Sequence, residues 1–295
     1  QSMNANIFRS KIPNDDPKTK PLYSELLRSI KFPMFIQNLD IKNSVLEYEE
    51  DTKVSDGPGK LVFANFNLNA KNLNSGKMKG KPTAVPIAIN CQFYGVSPMT
   101  VKWNFDTANL SDAFTISGNI SSLPATRINS FVEPYLKIRT TGSIENLKFN
   151  FHGNKNGLDG TFNMKHKDLK VSILKSGGKK NKILSAVANV FVKSNSGIYP
   201  ESVVVDDVSR DATKSFFNLF WRGIEEGLKK TLIGKNVEKS DYSLKKTVKE
   251  GIMETEKAKE KVQTVKAVVK EKVLEKPAEK EKENFFKRNF SENKH

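Results

Sequence analysis

The sequence has one cysteine, three histidines and no apolar run of about 18 residues. One cysteine excludes an internal disulfide, and with it a small disulfide-stapled scaffold. Cys91 falls in phase with Val85, Ile87 and Ile89, so it reads as a small hydrophobe on an apolar face. Without a long apolar run there is no membrane-spanning helix in this stretch, and no charged, apolar and cleavage regions open it as a leader would. Because the chain starts Gln-Ser-Met and enters structure at once, it reads as a piece of something longer. His152 and His166 flank the Asn154–Gly160 turn and could face each other across a hairpin. No Cys, Asp or Glu cluster completes a ligand set, so both read as polar surface histidines. Asn154–Gly160 also lacks the spaced carboxylates of a calcium loop. Phosphate-cradling glycine motifs, a Gly-x-Ser-x-Gly elbow and a Cys/His pair are missing. Asp206, Asp207 and Asp211 lie at a strand-to-helix junction, where capping is the default role. These shortages predict no catalytic residues, no metal and no cofactor.

Apolar residues make up 37% of the 295, and 49 Lys and Arg stand against 33 Asp and Glu, a net charge of +16. Residues 240–295 hold fifteen basic and eleven acidic groups, which leaves +12 on residues 1–239. A basic surface suits nucleic acid, an anionic membrane or acidic partners. Single-stranded nucleic acid is read by aromatics interleaved with Lys and Arg on an exposed face. Here the aromatics keep company with Val and Ile, and no nucleic-acid partner is expected.

What the chain does have is alternation. From Lys60 to Ser121 it reads as four or five strands, each apolar on one face and polar on the other. Val62, Ala64, Phe66, Leu68 and Ala70 alternate with Phe63, Asn65, Asn67 and Asn69; Val85, Ile87, Ile89, Cys91 and Phe93 follow, then Met99, Val101, Trp103 and Phe105, then Phe114, Ile116 and Ile120. Before this stretch, Pro21 to Ile30 suits a short helix, and Met34–Glu50 reads as a long strand bulged near Asn43–Ser44. After it come a short helix or crossover near 124–134, further strands to Lys175 and helical spacing over 179–193. Ser202–Val208 is strand-like, and Thr213–Ile233 is an amphipathic helix with Phe217, Phe220, Trp221, Ile224 and Leu228 on one stripe.

The expected organisation is a lead-in segment and short helix over 1–33 and a β-rich domain over 34–208. An amphipathic helix over 209–238 and a Lys/Glu-rich helix with a charged tail over 239–295 follow. The fold class is mainly β with a few helices (α+β), an elongated, curved antiparallel sheet. Ten strands at about 4.8 Å each give an apolar face of about 48 Å, and one helix of about 30 Å covers only part of it. Such a face must curl on itself, meet a partner or hold an apolar ligand.

Several stretches resemble the C-terminal region of AsmA-like envelope proteins. These are Pro21-Leu-Tyr-Ser-Glu-Leu-Leu27 with Lys31-Phe-Pro33, Ile41-Lys-Asn-Ser-Val-Leu-Glu-Tyr-Glu-Glu50, the Asn-alternating Leu61–Leu73, Tyr135-Leu-Lys-Ile138 with Gly142-Ser-Ile144, Phe151-His-Gly-Asn154 with Leu158-Asp-Gly160, and Phe216-Phe-Asn-Leu-Phe-Trp-Arg-Gly-Ile-Glu-Glu-Gly-Leu228. The resemblance covers residues 20–233 and rests on strand patterns. It implies a bridge-like lipid-transfer protein of the Gram-negative envelope, with an open β-groove that carries phospholipid or another acyl lipid between membranes. On this reading the groove is lined by Val62, Phe66, Leu68, Val85, Ile87, Ile89, Phe93, Val101, Trp103, Phe105, Phe114 and Ile116. The helix bearing Phe217, Phe220, Trp221, Ile224 and Leu228 packs on the sheet, closes the groove as a lid or lies on a membrane. Envelope proteins are possible further partners. The implied location is the periplasm, with anchoring to the inner membrane through an N-terminal segment that this chain lacks. The competing expectation is a closed β-sandwich that serves as a structural or interaction module and holds no lipid.

Overall fold

A computed structural model describes residues 2–9, 18–50, 57–136, 138–176, 184–190, 194–196 and 201–233. Alternation dominates the outcome. Strands β1 (Asn4–Arg9), β2 (Phe35–Glu50), β3 (Gly59–Asn74), β4 (Ala84–Phe93), β5 (Ser97–Asp106), β6 (Phe114–Pro124), β7 (Ile138–Gly153), β8 (Gly157–Ser176), β9 (Leu184–Val190) and β10 (Glu201–Ser209) belong to one sheet. Its order follows the chain from β1 to β8 and then β10, with β9 on the far half of β8. The antiparallel expectation holds from β2 onward. Among the described residues three helices accompany it: α1 (Tyr23–Ser29), α2 (Asn129–Leu136, entered through a 3-10 turn at Ala125–Ile128) and α3 (Phe216–Ile233).

Two expectations are corrected. Residues near the N-terminus, read as irregular, form β1, which runs parallel to β2 with Asn4 opposite Val45 and Arg9 opposite Glu50. A partner 41 residues away leaves no local signal, and it makes the sheet mixed. The helical spacing over 179–193 is overridden in its middle: Leu184–Val190 is strand β9, antiparallel to β8, with Val171 opposite Val190. Short apolar runs fit either period, and here the free edge of the long β8 decides. The Lys/Glu-rich segment and tail expected over 239–295 lie outside the described residues.

One open sheet must curve if a small helix is to cross it. The adjacent residues Asn129 and Ser130 reach across four strand intervals. Asn129 Nδ2 donates to the Thr140 carbonyl on β7 (2.9 Å), and Ser130 Oγ donates to the Lys60 carbonyl on β3 (3.1 Å). Laid flat, β3 and β7 would be about 19 Å apart. The strands have therefore curled towards α2.

Bulges supply the curl and set which side chains face inwards. Asn43, Asn65 and Asn72 on β2 and β3, Ser122 on β6, Asp168 on β8 and Asp207 on β10 all take left-handed backbone angles, Asn65 at φ 47°. Register breaks accompany Asn43, Asn65 and Asp207. A bulge adds one residue to a strand and flips the phase beyond it. On β3, Phe63 pairs with Phe93 before the bulge, and Leu68 pairs with Ile89 after it. Leu61 and Phe63 thus face inwards, while Val62 sits opposite Glu47 on the polar side. The expected bulge near Asn43–Ser44 is present; the one at Asn65 was not foreseen.

The polar side carries hydrogen-bonded amides. Asn69 Nδ2 donates to Asn38 Oδ1 (2.7 Å) and Asp40 Oδ1 (2.8 Å), and the Asn69 bond is the main cause holding the Asp40 carboxyl below its usual range.

Candidate functional site

The inner face divides into two parts. Over β5 to β8 and β10 it is roofed by α3. Phe216 stacks on Trp103 with ring centres 4.6 Å apart, and Phe220 meets Phe149 edge-on at 5.2 Å. Two glycines bring α3 against the strands. A Cβ at Gly227 would stand 2.3 Å from the Phe162 ring, and one at Gly223 would stand 2.8 Å from Leu158. Beneath it Phe151, Phe162, Met164 and Val205 are fully buried. Over β2 to β4, at the end bearing Leu39 and Ile41, the face is aliphatic and no helix crosses it among the described residues; at the other end Phe63 packs on Phe93 and α2 reaches β3. Leu39 is 39% exposed, and Ile41, Leu68, Ile87 and Ile89 are half-buried. Register places them side by side: Leu39, Ala70 and Ile87 form one row, and Ile41, Leu68 and Ile89 the next.

The expected lining residues fall into three groups. Phe66, Val85, Phe93, Val101, Phe105, Phe114 and Ile116 are buried in the core. Leu68, Ile87, Ile89 and Trp103 remain half-buried. Val62 is on the wrong side. Leu39 and Ile41 belong to the uncovered floor although the lining set omitted them; their shared phase on β2 was the available signal. Within α3, Ile224 is buried in the core and Phe220, Trp221 and Leu228 pack against it, whereas Phe217 is 49% exposed. Phe216 and Leu219, outside the expected stripe, are the most buried of its large side chains. Helix α3 therefore packs on the sheet.

Burial pushes the Cys91 thiol up to about 11, as suits a core residue. His166, expected at the surface, is 2% exposed, and its backbone N–H is held by Ser196 Oγ at 2.8 Å. It pairs in register with Ile144, whereas His152 pairs with Asp159, so the two histidines do not face each other. His152 Nε2 meets the Asp159 carboxylate, and Thr115 stands across the neighbouring strand from His152. That row has the order nucleophile, base, acid and borders an open depression of about 690 Å³. Its His152 and Asp159 side chains are 67% and 54% exposed, and Asn104 Nδ2 already donates to Thr115 Oγ1 at 3.3 Å. Water-accessible groups of this kind lack the preorganised, desolvated setting that nucleophilic catalysis uses. Among the described residues no three His, Cys, Asp or Glu side chains cluster as metal ligands, and no helix is long and apolar enough to cross a membrane.

No protein-family model, curated protein or solved structure matches this chain.

Proposed function

We propose that the protein is a non-enzymatic lipid-binding or lipid-transfer protein of the cell envelope, with acyl chains lying on the floor made by β2, β3 and β4. One observation carries this reading: two adjoining rows of aliphatic side chains, Leu39 with Ile87 and Ile41 with Leu68 and Ile89, lie on a curved sheet with no helix over them among the described residues. Each acyl CH₂ moved from water onto such a surface gains about 0.8 kcal/mol, so binding needs no charged pocket and depends little on where along the floor the chain lies. That indifference is what sliding requires. The resemblance to AsmA-like proteins supports phospholipid as the occupant and the periplasm as the place. The two rows themselves carry neither rings nor cations, so they offer a nucleic-acid strand no stacking or phosphate contact.

Lipid extraction of the detergent-free purified protein followed by mass spectrometry tests the reading, together with uptake of a fluorescent fatty-acyl probe. Co-purified phospholipid and saturable uptake are expected. Leu39→Asp with Leu68→Asp should abolish uptake while the protein stays folded. Neither lipid nor uptake in the unmodified protein would sink the proposal and leave a structural or interaction module, the reading favoured by the helix-covered half of the sheet.

A further inference from the structure

Among the described residues, one end of the sheet gathers exposed apolar side chains and lysines. It is built from residues 18–33 with α1, the β3–β4 loop 74–83, the β5–β6 loop 107–113, the β7–β8 turn 154–156 and the link 209–217. Hydrogen bonds tie these pieces together. Arg28 Nη1 donates to the Thr107 and Asn109 carbonyls at 3.1 Å each, and its Nη2 meets the buried Asp112 carboxylate at 2.7 Å. Lys77 Nζ donates to the Ile30 carbonyl. The Lys155 N–H donates to the Ser111 carbonyl at 3.1 Å, and the Lys20 N–H to that of Ala212 at 2.8 Å. In these segments eight lysines are exposed against two exposed carboxylates, Glu25 and Asp211. Five large apolar side chains also stand out into solvent among them: Leu26, Phe32, Met78, Leu110 and Phe217, with Leu110 74% and Phe32 61% exposed. The β3–β4 loop shows the arrangement most plainly. Gly76 and Gly80 both take positive φ (72° and 73°), and the short arch between them carries Met78 at its tip with Lys77 and Lys79 on either side.

From this juxtaposition we infer that this end docks on an anionic lipid bilayer. Apolar tips on several loops enter the headgroup layer while the surrounding lysines meet lipid phosphates, each lysine strengthening association about fivefold. A folded protein partner would be expected to meet a continuous apolar patch, and a nucleic-acid strand a groove that tracks its backbone. Here the apolar tips are separated by lysines and lie on four different segments. The β3–β4 loop is also the tip of the hairpin that forms part of the uncovered floor, so a bilayer held there lies at one end of that floor. This last step rests on the proposed function; docking itself does not.

Co-sedimentation of the full chain with phosphatidylcholine vesicles, with and without phosphatidylglycerol, tests the inference. Binding should require the anionic lipid and weaken at high salt. The variant K77E/M78D/K79E, confined to exposed positions, should lose at least about 25-fold in partitioning, since two lysines go. The variant K102E/K148E, which likewise reverses two exposed lysines but on the polar face of the sheet, should bind like the unmodified protein. No binding to anionic vesicles would overturn the inference. So would a loop variant that still binds, which would move the contact to another segment, or tighter binding to an oligonucleotide than to vesicles at the same salt. Acyl-probe uptake in solution by the same loop variant reads the floor alone, so failure of one proposal is distinguishable from failure of the other.

Discussion

Beneath α3 the sheet is lined by rings: Phe105, Phe114, Phe149, Phe151 and Phe162 are all buried. A few strands away, at the Leu39 end of β2 to β4, the floor is aliphatic, with Leu39, Ile41, Leu68, Ile87 and Ile89 at partial exposure. Both halves come from the same alternating pattern, so alternation alone does not decide which is roofed. The roofed half has large rings in the strands and small residues, Gly223 and Gly227, in the helix that meets them. Large against small permits interdigitation at core density. The aliphatic half offers branched side chains of similar height, a smooth surface suited to a mobile occupant.

Matched truncations should separate the halves. Phe151→Ala, at a fully buried ring, should lower the unfolding free energy by about 3–5 kcal/mol, whereas Leu68→Ala in the open half should cost about 1–2; equal losses in urea titrations would mean the floor is roofed after all. Asp112→Ala should cost about 2–3 kcal/mol, because Arg28 and Ser24 lose the buried carboxylate that holds α1 down. Gly227→Ala sets a helix-propensity gain of about 1 kcal/mol against overpacking of about 1–3 kcal/mol at Phe162. A net loss is expected, and a gain would show that α3 can lift from the sheet. The smallest effect is alkaline. Cys91 keeps its proton to about pH 11 when folded, against 9.0 for an ordinary thiol. Between those values the unfolded chain has released a proton that the folded one retains, so stability falls as pH rises through that window. Iodoacetamide should alkylate Cys91 far more slowly in the folded protein than in urea.

Much of the fold was legible because β2 to β8 are neighbours both in sequence and in the sheet, and each turn is marked by Gly, Pro or Asn. Positions where tertiary context overrides local pattern were not legible. Asn65 looks like one more polar residue in an alternating run, yet its left-handed backbone shifts the phase and moves Val62 outwards. In β9 the apolar spacing fits a helix until the free edge of β8 is known. Within the candidate site, the row Ile87–Ile89 could be read from strand period alone. Loss of Phe105 or Phe114 to the roofed half could not, since that depends on where α3 lands.

The parallel pairing of β1 has a kinetic consequence. Strands β2 to β8 can zip as successive hairpins, each closing a short loop. Strand β1 is synthesised first but has no partner until Val45–Glu50 exists, and α1 waits longer still, for Asp112, 88 residues beyond Ser24. Closing the long connection between β1 and β2 is slower than closing a hairpin, so the edge of β2 stays open while the meander forms, which is the condition under which strand edges find the wrong neighbour. In the finished protein the same late-closing pieces should be the first to exchange their amide protons, so that opening begins at the N-terminus while the interior of the sheet is still intact.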